Sequence, residues 1–275
     1  MQEKTEALRT VIEEAWENRE LLESQEVRKV VGEVIAMLDG GVIRVAEKIG
    51  GEWVTHEWIK KAILLYFLMR EPRNMISGMF EYFDKIPVKR GFSSLGVRVV
   101  PPATIRYGSY VAPGCVIMPS YINIGAYVDS GTMVDTWATV GSCAQVGKNV
   151  HISGGVGIGG VLEPPQAQPV IIEDNAFIGS RCIIVEGVII EEEAVLGAGV
   201  VITASTKIID VTGDEPVEYK GRVPARSVVI PGSYTKKFPA GEYNVPCALI
   251  IGKRTESTDK KVSLNEALRK FNVPV

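Results

Sequence analysis

Residues 116–158 read VIMPSYINIGAYVDSGTMVDTWATVGSCAQVGKNVHISGGVGI, and an aliphatic residue recurs in them at every sixth position. The series continues on both sides of this stretch in four frames. Its twenty members are Val99, Ile105, Val111, Val116, Ile122, Val128, Val134, Val140, Val146, Ile152, Ile158, Ile172, Ile178, Ile184, Ile190, Leu196, Ile202, Ile208, Val223 and Val229. A small or β-branched residue follows four positions later, as at Ala126 and Ala144. A period of six excludes a helix, which turns every 3.6 residues.

This repeat is typical of a solenoid. Each hexapeptide supplies one short flat face, and three faces close a triangular coil of about eighteen residues. The large aliphatic residues are predicted to point into the prism, and the small ones to lie near tight corners. The repeats are enough for six or seven coils.

Two segments interrupt the period, residues 162–169 (LEPPQAQP) and residues 210–221 (DVTGDEPVEYKG). Insertions in a solenoid leave it as loops, which often build a binding face. They are equally consistent with tolerated surface loops.

The first ninety residues lack the repeat. Apolar residues at helical spacing predict helices over 3–22 and 25–38, and Thr55 is the expected N-cap of a third helix that runs to about residue 69. Alternation predicts a strand over 42–47, followed by a hairpin turn at Gly50-Gly51.

Three regions follow from these patterns. We expect a helical N-terminal domain over 1–95, the solenoid over 96–234 and a C-terminal extension over 235–275. Within the extension, residues 248–252 read as a strand and residues 263–271 as a short helix with a capping box.

Composition excludes several classes of protein. The 275 residues carry 30 basic and 33 acidic side chains, a net charge of -3, so a nucleic-acid partner is not expected. The longest apolar run covers eight residues at 62–69, far short of the roughly twenty that cross a membrane. The N-terminal residues show no secretory pattern, and we expect a cytoplasmic protein.

Metal chemistry is not expected either. The four cysteines lie far apart without a CxxC pair, so reduced thiols are the simplest interpretation. Two histidines cannot form a three-histidine metal site.

Residues 155–160, GVGIGG, match the dinucleotide pattern GxGxxG. The following Val-Leu-Glu-Pro-Pro cannot begin the helix that such a site needs, so we reject that interpretation. Gly155, Gly157 and Gly160 instead suggest close approach of a ligand, such as a cofactor to be bound there, or of a neighbouring chain.

Asp135 is the strongest catalytic candidate among the residues themselves. It follows an inward aliphatic residue and lies two positions before Trp137, where it could accept a proton from an amine. Arg181, near a coil edge, suits carboxylate binding but equally a surface ion pair. Lys253 and Arg254 could meet cofactor phosphates or simply aid solubility.

The motifs are more specific than a generic repeat. The run over 118–164, together with RVAEKIGGEWVTHEWIKKA from Arg44 and GRVPARSVV from Gly221, resembles the tetrahydrodipicolinate N-succinyltransferase family of hexapeptide-repeat transferases. The resemblance implies a mainly β fold, a left-handed parallel β-helix with a small helical N-terminal domain and a short C-terminal extension. It also implies a homotrimer with active sites in the grooves between subunits.

The same resemblance implies transfer of succinyl from succinyl-CoA to tetrahydrodipicolinate in lysine and diaminopimelate biosynthesis. Arg98 in GVRVVPP and Asp135 in MVDTW would bind the dicarboxylate. A second family carboxylate falls on Ile183 here, which leaves Glu186 as the nearest substitute. Backbone N–H groups of the glycine-rich coils would stabilise the oxyanion.

Two other functions remain open at this stage. An acetyl-CoA-dependent N-acyltransferase would share the coils and the acceptor, and donor preference distinguishes it. A non-catalytic hexapeptide scaffold would need no groove chemistry.

Overall fold

The computed structural model describes residues 2–78 and 80–254. The helix expected over 263–271 therefore lies outside the described residues. Within them, a helical N-terminal region is followed by a parallel β-helix and a long C-terminal hairpin.

Three α-helices form the N-terminal region: α1 (Gln2–Glu17), α2 (Gln25–Asp39) and α3 (Glu57–Leu68). The first predicted helix is interrupted, because the Asn18 side chain accepts a hydrogen bond from the Glu20 N–H and begins a 3₁₀ helix over Arg19–Glu23. The cap predicted at Thr55 is wrong. His56 occupies the N-cap of α3, since Thr55 is still paired in the preceding strand.

Two hairpins flank α3, namely β1 (Ala46–Ile49) with β2 (Glu52–Thr55) and β3 (Arg73–Ser77) with β4 (Phe80–Asp84). The predicted turn at Gly50-Gly51 is confirmed, with positive φ at both residues. The strand expected over 42–47 begins later, because the turn pairs only the four residues before it with the four after it.

Two-residue strands build the three faces of the β-helix. The first face contains β5 (Arg98–Val99), β8 (Val116–Ile117), β11 (Met133–Val134), β14 (His151–Ile152), β17 (Phe177–Ile178) and β20 (Val195–Leu196). The second contains β6 (Thr104–Ile105), β9 (Tyr121–Ile122), β12 (Thr139–Val140), β15 (Gly157–Ile158), β18 (Ile183–Ile184) and β21 (Val201–Ile202). The third contains β7 (Tyr110–Val111), β10 (Tyr127–Val128), β13 (Gln145–Val146), β16 (Ile171–Ile172), β19 (Ile189–Ile190) and β24 (Arg222–Val223).

Each face stacks six strands in parallel register, so the chain forms six coils, numbered here from Arg98. We name the corners by the faces they join. The first corner joins the first and second faces, the second corner joins the second and third, and the third corner joins the third and first.

The aliphatic column predicted from the repeat fills the prism. Its members over 122–202 are at most 1% exposed. Val116 is an exception, and the inward position predicted for it is wrong: it is half-buried on the outside, and Ile117 points inward beside Val134. The corner over 118–120 holds three residues, whereas the one over 135–138 holds four, and this missing residue shifts the frame.

Both interruptions form loops at the rim of the coils. The first, over 162–169, is tied to α3 by the fully buried Lys60, whose Nζ donates to Pro164 O (3.1 Å) and Ala167 O (2.7 Å). Burial lowers the pKa of Lys60. The second forms a hairpin of β22 (Ile208–Asp210) and β23 (Val217–Tyr219).

The C-terminal strand predicted over 248–252 is part of a longer hairpin, β25 (Ser227–Phe238) with β26 (Gly241–Lys253). The start of β25 pairs with β20, and β26 pairs with β22. The hairpin thus continues the first face beyond the sixth coil.

The N-terminal region covers the third face. Arg44 donates from Nε to Gln145 Oε1 (2.9 Å) and lies 3.8 Å from the Tyr127 ring centroid. At the second corner, Gly125 (φ 77°) lets α3 approach, since a Cβ there would lie 2.8 Å from Ile63 Cδ1. The second face stays open: Ile183 and Val201 are 37% and 48% exposed.

Among the residues that the structure describes, no helix combines the length and apolar character needed to cross a membrane.

We predict that Ile202→Ala destabilises the protein by about 2–5 kcal/mol, because it opens a cavity in a fully buried column. Its neighbour on the same strand, Val201, points outward, and Val201→Ala should cost less than about 1 kcal/mol. Thermal unfolding followed by circular dichroism at one protein concentration compares them. Equal losses would contradict the inward and outward assignment.

Candidate functional site

The first corner of coil 3 holds Asp135. Its backbone N–H donates to Ile152 O (2.8 Å), and its Oδ1 accepts hydrogen bonds from Thr136 N (2.6 Å) and Thr136 Oγ1 (3.2 Å). Oδ2 accepts none from the described residues and lies 4.0 Å from where a Cβ on Gly154 would stand. One oxygen is therefore anchored, and the other faces space that a glycine leaves open.

His151 lies beside this carboxylate, close enough for the charge of Asp135 to act on its ring. The ring stacks on Phe177, with centroids 4.8 Å apart and an interplanar angle of 9°. Burial lowers the pKa of His151, and the nearby charge of Asp135 opposes that shift. A neutral imidazole at pH 7 can accept a proton, so the corner offers two basic groups. The sequence signal that could have found His151 is its distance from Met133, which equals one complete coil and so pairs the two residues on neighbouring strands beside Asp135.

Trp137 marks the same corner as a contact surface. Its backbone adopts a left-handed conformation (φ 61°), and its N–H donates to Pro119 O (2.6 Å). The indole is 71% exposed. A tryptophan held outward on a rigid corner is suited to contact with a ligand or with a second copy of the chain.

The coils above bring Gly155 and Arg181 onto this corner. Gly155 N–H donates to Thr136 O (2.9 Å), and Arg181 N–H donates to Gly154 O (3.1 Å). Neighbouring coils are about 4.8 Å apart, so Asp135, Gly155 and Arg181 lie on three successive coils. Arg181 is exposed and makes no ion pair with the described residues.

The glycines cross the second face in coil 4. Gly157 lies at the middle of the face, where a Cβ would come within 2.8 Å of Ile183 Cδ1, and Gly160 lies at the second corner. The Gly155 and Gly157 N–H groups already donate to Thr136 O and Cys182 O. They are not available to an oxyanion, so these glycines matter through their missing side chains.

The structure does not bring Glu186 or Arg98 to Asp135 within one chain. Glu186 lies at the second corner, the far side of the second face, and its Oε2 accepts from Ala204 N (3.1 Å). Arg98 is exposed on the first face of coil 1, two coils from Asp135.

Lys253 and Arg254 lie on the opposite side of the prism, at the third corner. Lys253 Nζ donates to Ala225 O (3.1 Å), and an Arg254 Nη donates to Asn175 O (2.7 Å). Within this chain, both side chains therefore donate hydrogen bonds to backbone carbonyl oxygens of the third corner.

The thiols are not suited to carry an acyl group. Burial raises the pKa of Cys143 to about 12 and the pKa of both Cys115 and Cys182 to about 11. Burial also raises the pKa of Cys247. A buried thiol that stays protonated is a poor nucleophile, which favours direct transfer between bound substrates. Among the described residues, no group of three or more metal-ligating side chains occurs.

Two family models match the chain. Residues 7–69 match a model described as tetrahydrodipicolinate N-succinyltransferase N-terminal, and residues 169–204 match a hexapeptide repeat of succinyl-transferase. With the parallel coils described above, the hexapeptide match confirms the predicted fold class, a left-handed parallel β-helix with a helical N-terminal domain.

Curated relatives match over almost the whole chain. Proteins from Azoarcus sp. (56% identical, covering 95% of this chain and 98% of theirs), Edwardsiella ictaluri (55%, 95% and 98%) and Cupriavidus metallidurans (54%, 96% and 99%) are similar to it. Each is named 2,3,4,5-tetrahydropyridine-2,6-dicarboxylate N-succinyltransferase.

We predict that Ellman's reagent at pH 8 labels fewer than one thiol per native chain during a minutes-long assay. With a pKa of about 11, roughly one buried thiol in a thousand is ionised. After unfolding in guanidinium, all four cysteines should react. Rapid labelling of the native protein would contradict the burial of these thiols.

Proposed function

The chain belongs to the tetrahydrodipicolinate N-succinyltransferase family, and on that premise we propose that it transfers succinyl from succinyl-CoA to the nitrogen of tetrahydrodipicolinate. The observation that carries this is the 53–56% identity with relatives of one shared name over 95–96% of the chain. The pathway is lysine and diaminopimelate biosynthesis, and we place it in the cytoplasm.

The reaction consumes one water. Addition of water across the C=N bond of the cyclic imine gives a carbinolamine, and the lone pair of its secondary amine nitrogen attacks the thioester carbonyl. The C–N bond forms, the C–S bond breaks, and the CoA thiolate leaves with the electron pair and takes up a proton. The nitrogen loses its proton. The ring C–N bond of the carbinolamine then breaks, its hydroxyl becomes the ketone and gives its proton to the amide nitrogen, and the open-chain product is N-succinyl-2-amino-6-oxopimelate.

Asp135 is our candidate for the residue that orients this nitrogen and receives its proton. The anchored Oδ1 and open Oδ2 give the carboxylate a fixed direction with one oxygen unoccupied. His151, held neutral beside it, is a candidate to share the proton. Glu186 would have to act from across the groove, in a pocket completed by another protomer.

The guanidinium groups of Arg98 and Arg181 are proposed to bind the two carboxylates of the acceptor, since a planar fork matches a carboxylate. We assign succinyl-CoA to the second face, where Gly155, Gly157 and Gly160 keep the surface low. Lys253 and Arg254 would contact CoA phosphates only from a neighbouring protomer. No metal or prosthetic group enters the proposal.

A homotrimer is part of the proposal. The exposed Trp137, Ile183 and Val201 border the open second face, and an apolar border of this kind favours a subunit contact. Arg98 and Asp135 lie two coils apart in one chain, so a site using both residues needs a long substrate or a second protomer. Light scattering should give about three times the chain mass of 29.9 kDa.

Release of CoA tests the reaction. We expect free thiol only when succinyl-CoA and the acceptor, or its stable amine mimic L-2-aminopimelate, are both present. Release with acetyl-CoA but not with succinyl-CoA, in the presence of the acceptor, would identify a different donor for the same acceptor. No release with either donor would contradict an acyltransferase function and favour a non-catalytic scaffold.

Asp135→Asn should lower kcat by about a hundredfold or more, because an amide cannot accept the proton. Asp129→Asn is a matched control. Asp129 occupies the same position of its hexapeptide and caps Ser130 N (2.7 Å) as Asp135 caps Thr136 N (2.6 Å), but it lies at the third corner. Turnover close to wild type in Asp135→Asn, or an equal loss in Asp129→Asn, would contradict the assignment.

A further inference from the structure

Two adjoining cavities lie where the N-terminal region meets coil 1, far from the first corner of coil 3. Their volumes are about 420 and 640 Å³, and Pro87 and Tyr107 line both. Arg28, Tyr66 and Arg70 line the smaller cavity, and Arg73, Arg90 and Asp39 line the larger one. We call this pair of cavities the arginine cleft.

The four guanidinium groups carry uncompensated charge. No carboxylate oxygen of the described residues lies within 4.0 Å of any of them. Two nearby acids are committed elsewhere: Asp39 pairs with Lys89 (2.8 Å), and Asp84 pairs with Arg106 (2.5 Å). In a chain of net charge -3, four such arginines around one tyrosine form a local excess of positive charge.

Arg70 gives the clearest sign of a missing partner. One Nη donates to Tyr66 Oη (2.6 Å), and the guanidinium carbon lies 4.8 Å from the Tyr66 ring centroid. Its Nε is the only buried side-chain nitrogen or oxygen of the described residues that has no hydrogen-bond partner. A buried N–H without an acceptor costs free energy, which an anionic ligand would recover.

The surrounding groups are arranged to donate. Arg28 is held by an Nε hydrogen bond to Leu22 O, and its two Nη groups make no hydrogen bond to the described residues. Burial, followed by the charge of Asp39, raises the pKa of Tyr107, so its hydroxyl remains a donor at neutral pH. The Asp39 carboxylate also accepts from Gly108 N (2.9 Å), which keeps it turned to the protein.

We propose that the arginine cleft binds a small anion with two phosphate groups, such as a diphosphate or the diphosphate of a nucleotide. One phosphate would lie between Arg28 and Arg70, and the other between Arg73 and Arg90. Two guanidinium groups match the charge of one phosphate dianion and can each bind it with two N–H donors. The site is separate from the acyl-transfer groove and does not depend on the function proposed above.

Calorimetric titration of the full-length protein with inorganic pyrophosphate tests the proposal. We expect one site per chain with a Kd below about 1 mM, and a loss of affinity of about tenfold or more in Arg70→Gln. Arg9→Gln is the matched control, since Arg9 is an exposed arginine on α1 outside the cleft. No binding by the wild type, or equal binding by Arg70→Gln, would overturn the proposal.

Arg73→Gln repeats the test at an exposed position, in case the variant at Arg70 does not fold, and should weaken binding in the same direction. Orthophosphate and succinate, used as further probes, should bind at least about tenfold more weakly than pyrophosphate. Binding that survives saturating CoA supports a separate site. Displacement by CoA, or succinate binding as tight as pyrophosphate, would overturn it.

Discussion

The structure depends on one constraint: every sixth side chain must fill the same narrow prism. Strands of two residues have little stability by themselves, and here they persist because each is hydrogen-bonded to the strands of adjacent coils. The inward aliphatic residues fix the rotation of each coil, and the backbone hydrogen bonds fix its height. The positions of the outward-facing side chains are then determined by the rotation and height of the coils. Asp135, Gly155 and Arg181 come to one corner because of their places in their hexapeptides.

The repeat made the fold predictable from sequence, since inward position follows directly from a period of six. The prediction is wrong at Val116. The following corner is one residue shorter than the others, so the inward position falls on Ile117, and because both residues are aliphatic the sequence pattern does not reveal the shift. The N-cap predicted at Thr55 is wrong because threonine is a common N-cap residue, whereas here Thr55 is paired with Ala46 in the preceding hairpin. The repeat predicts that Asp135 and Arg181 lie at corners of the prism. It does not predict that Glu186 lies a whole face away from them, because that depends on which of the three corners each hexapeptide forms. His151 was missed because its partner, Phe177, is distant in sequence.

The two ends of the molecule divide the prism between them. The segment that begins at Arg44 attaches the N-terminal region to the third face, through Gln145 and through Glu173, which accepts from Lys48 and Trp53. The C-terminal hairpin buries Val195 and Val228 on the upper first face. What remains is the second face with its first corner. The motif that begins at Arg44 thus serves to attach the N-terminal region, and the chemistry proposed above uses the uncovered side.

The loop over 162–169 leaves the coils after the second face and returns on the third. It lengthens the chain, but the residues after it still fall on the same faces of the prism as they would without it. A deletion of six residues inside the coils would instead turn all later residues by one face, about a third of a revolution, and would carry Arg181 away from Asp135. In this architecture, length is free to vary at the corners that open into loops, whereas within the coils only whole turns preserve the site. Evolution of such a chain is therefore expected to proceed by loop growth and by gain or loss of complete coils.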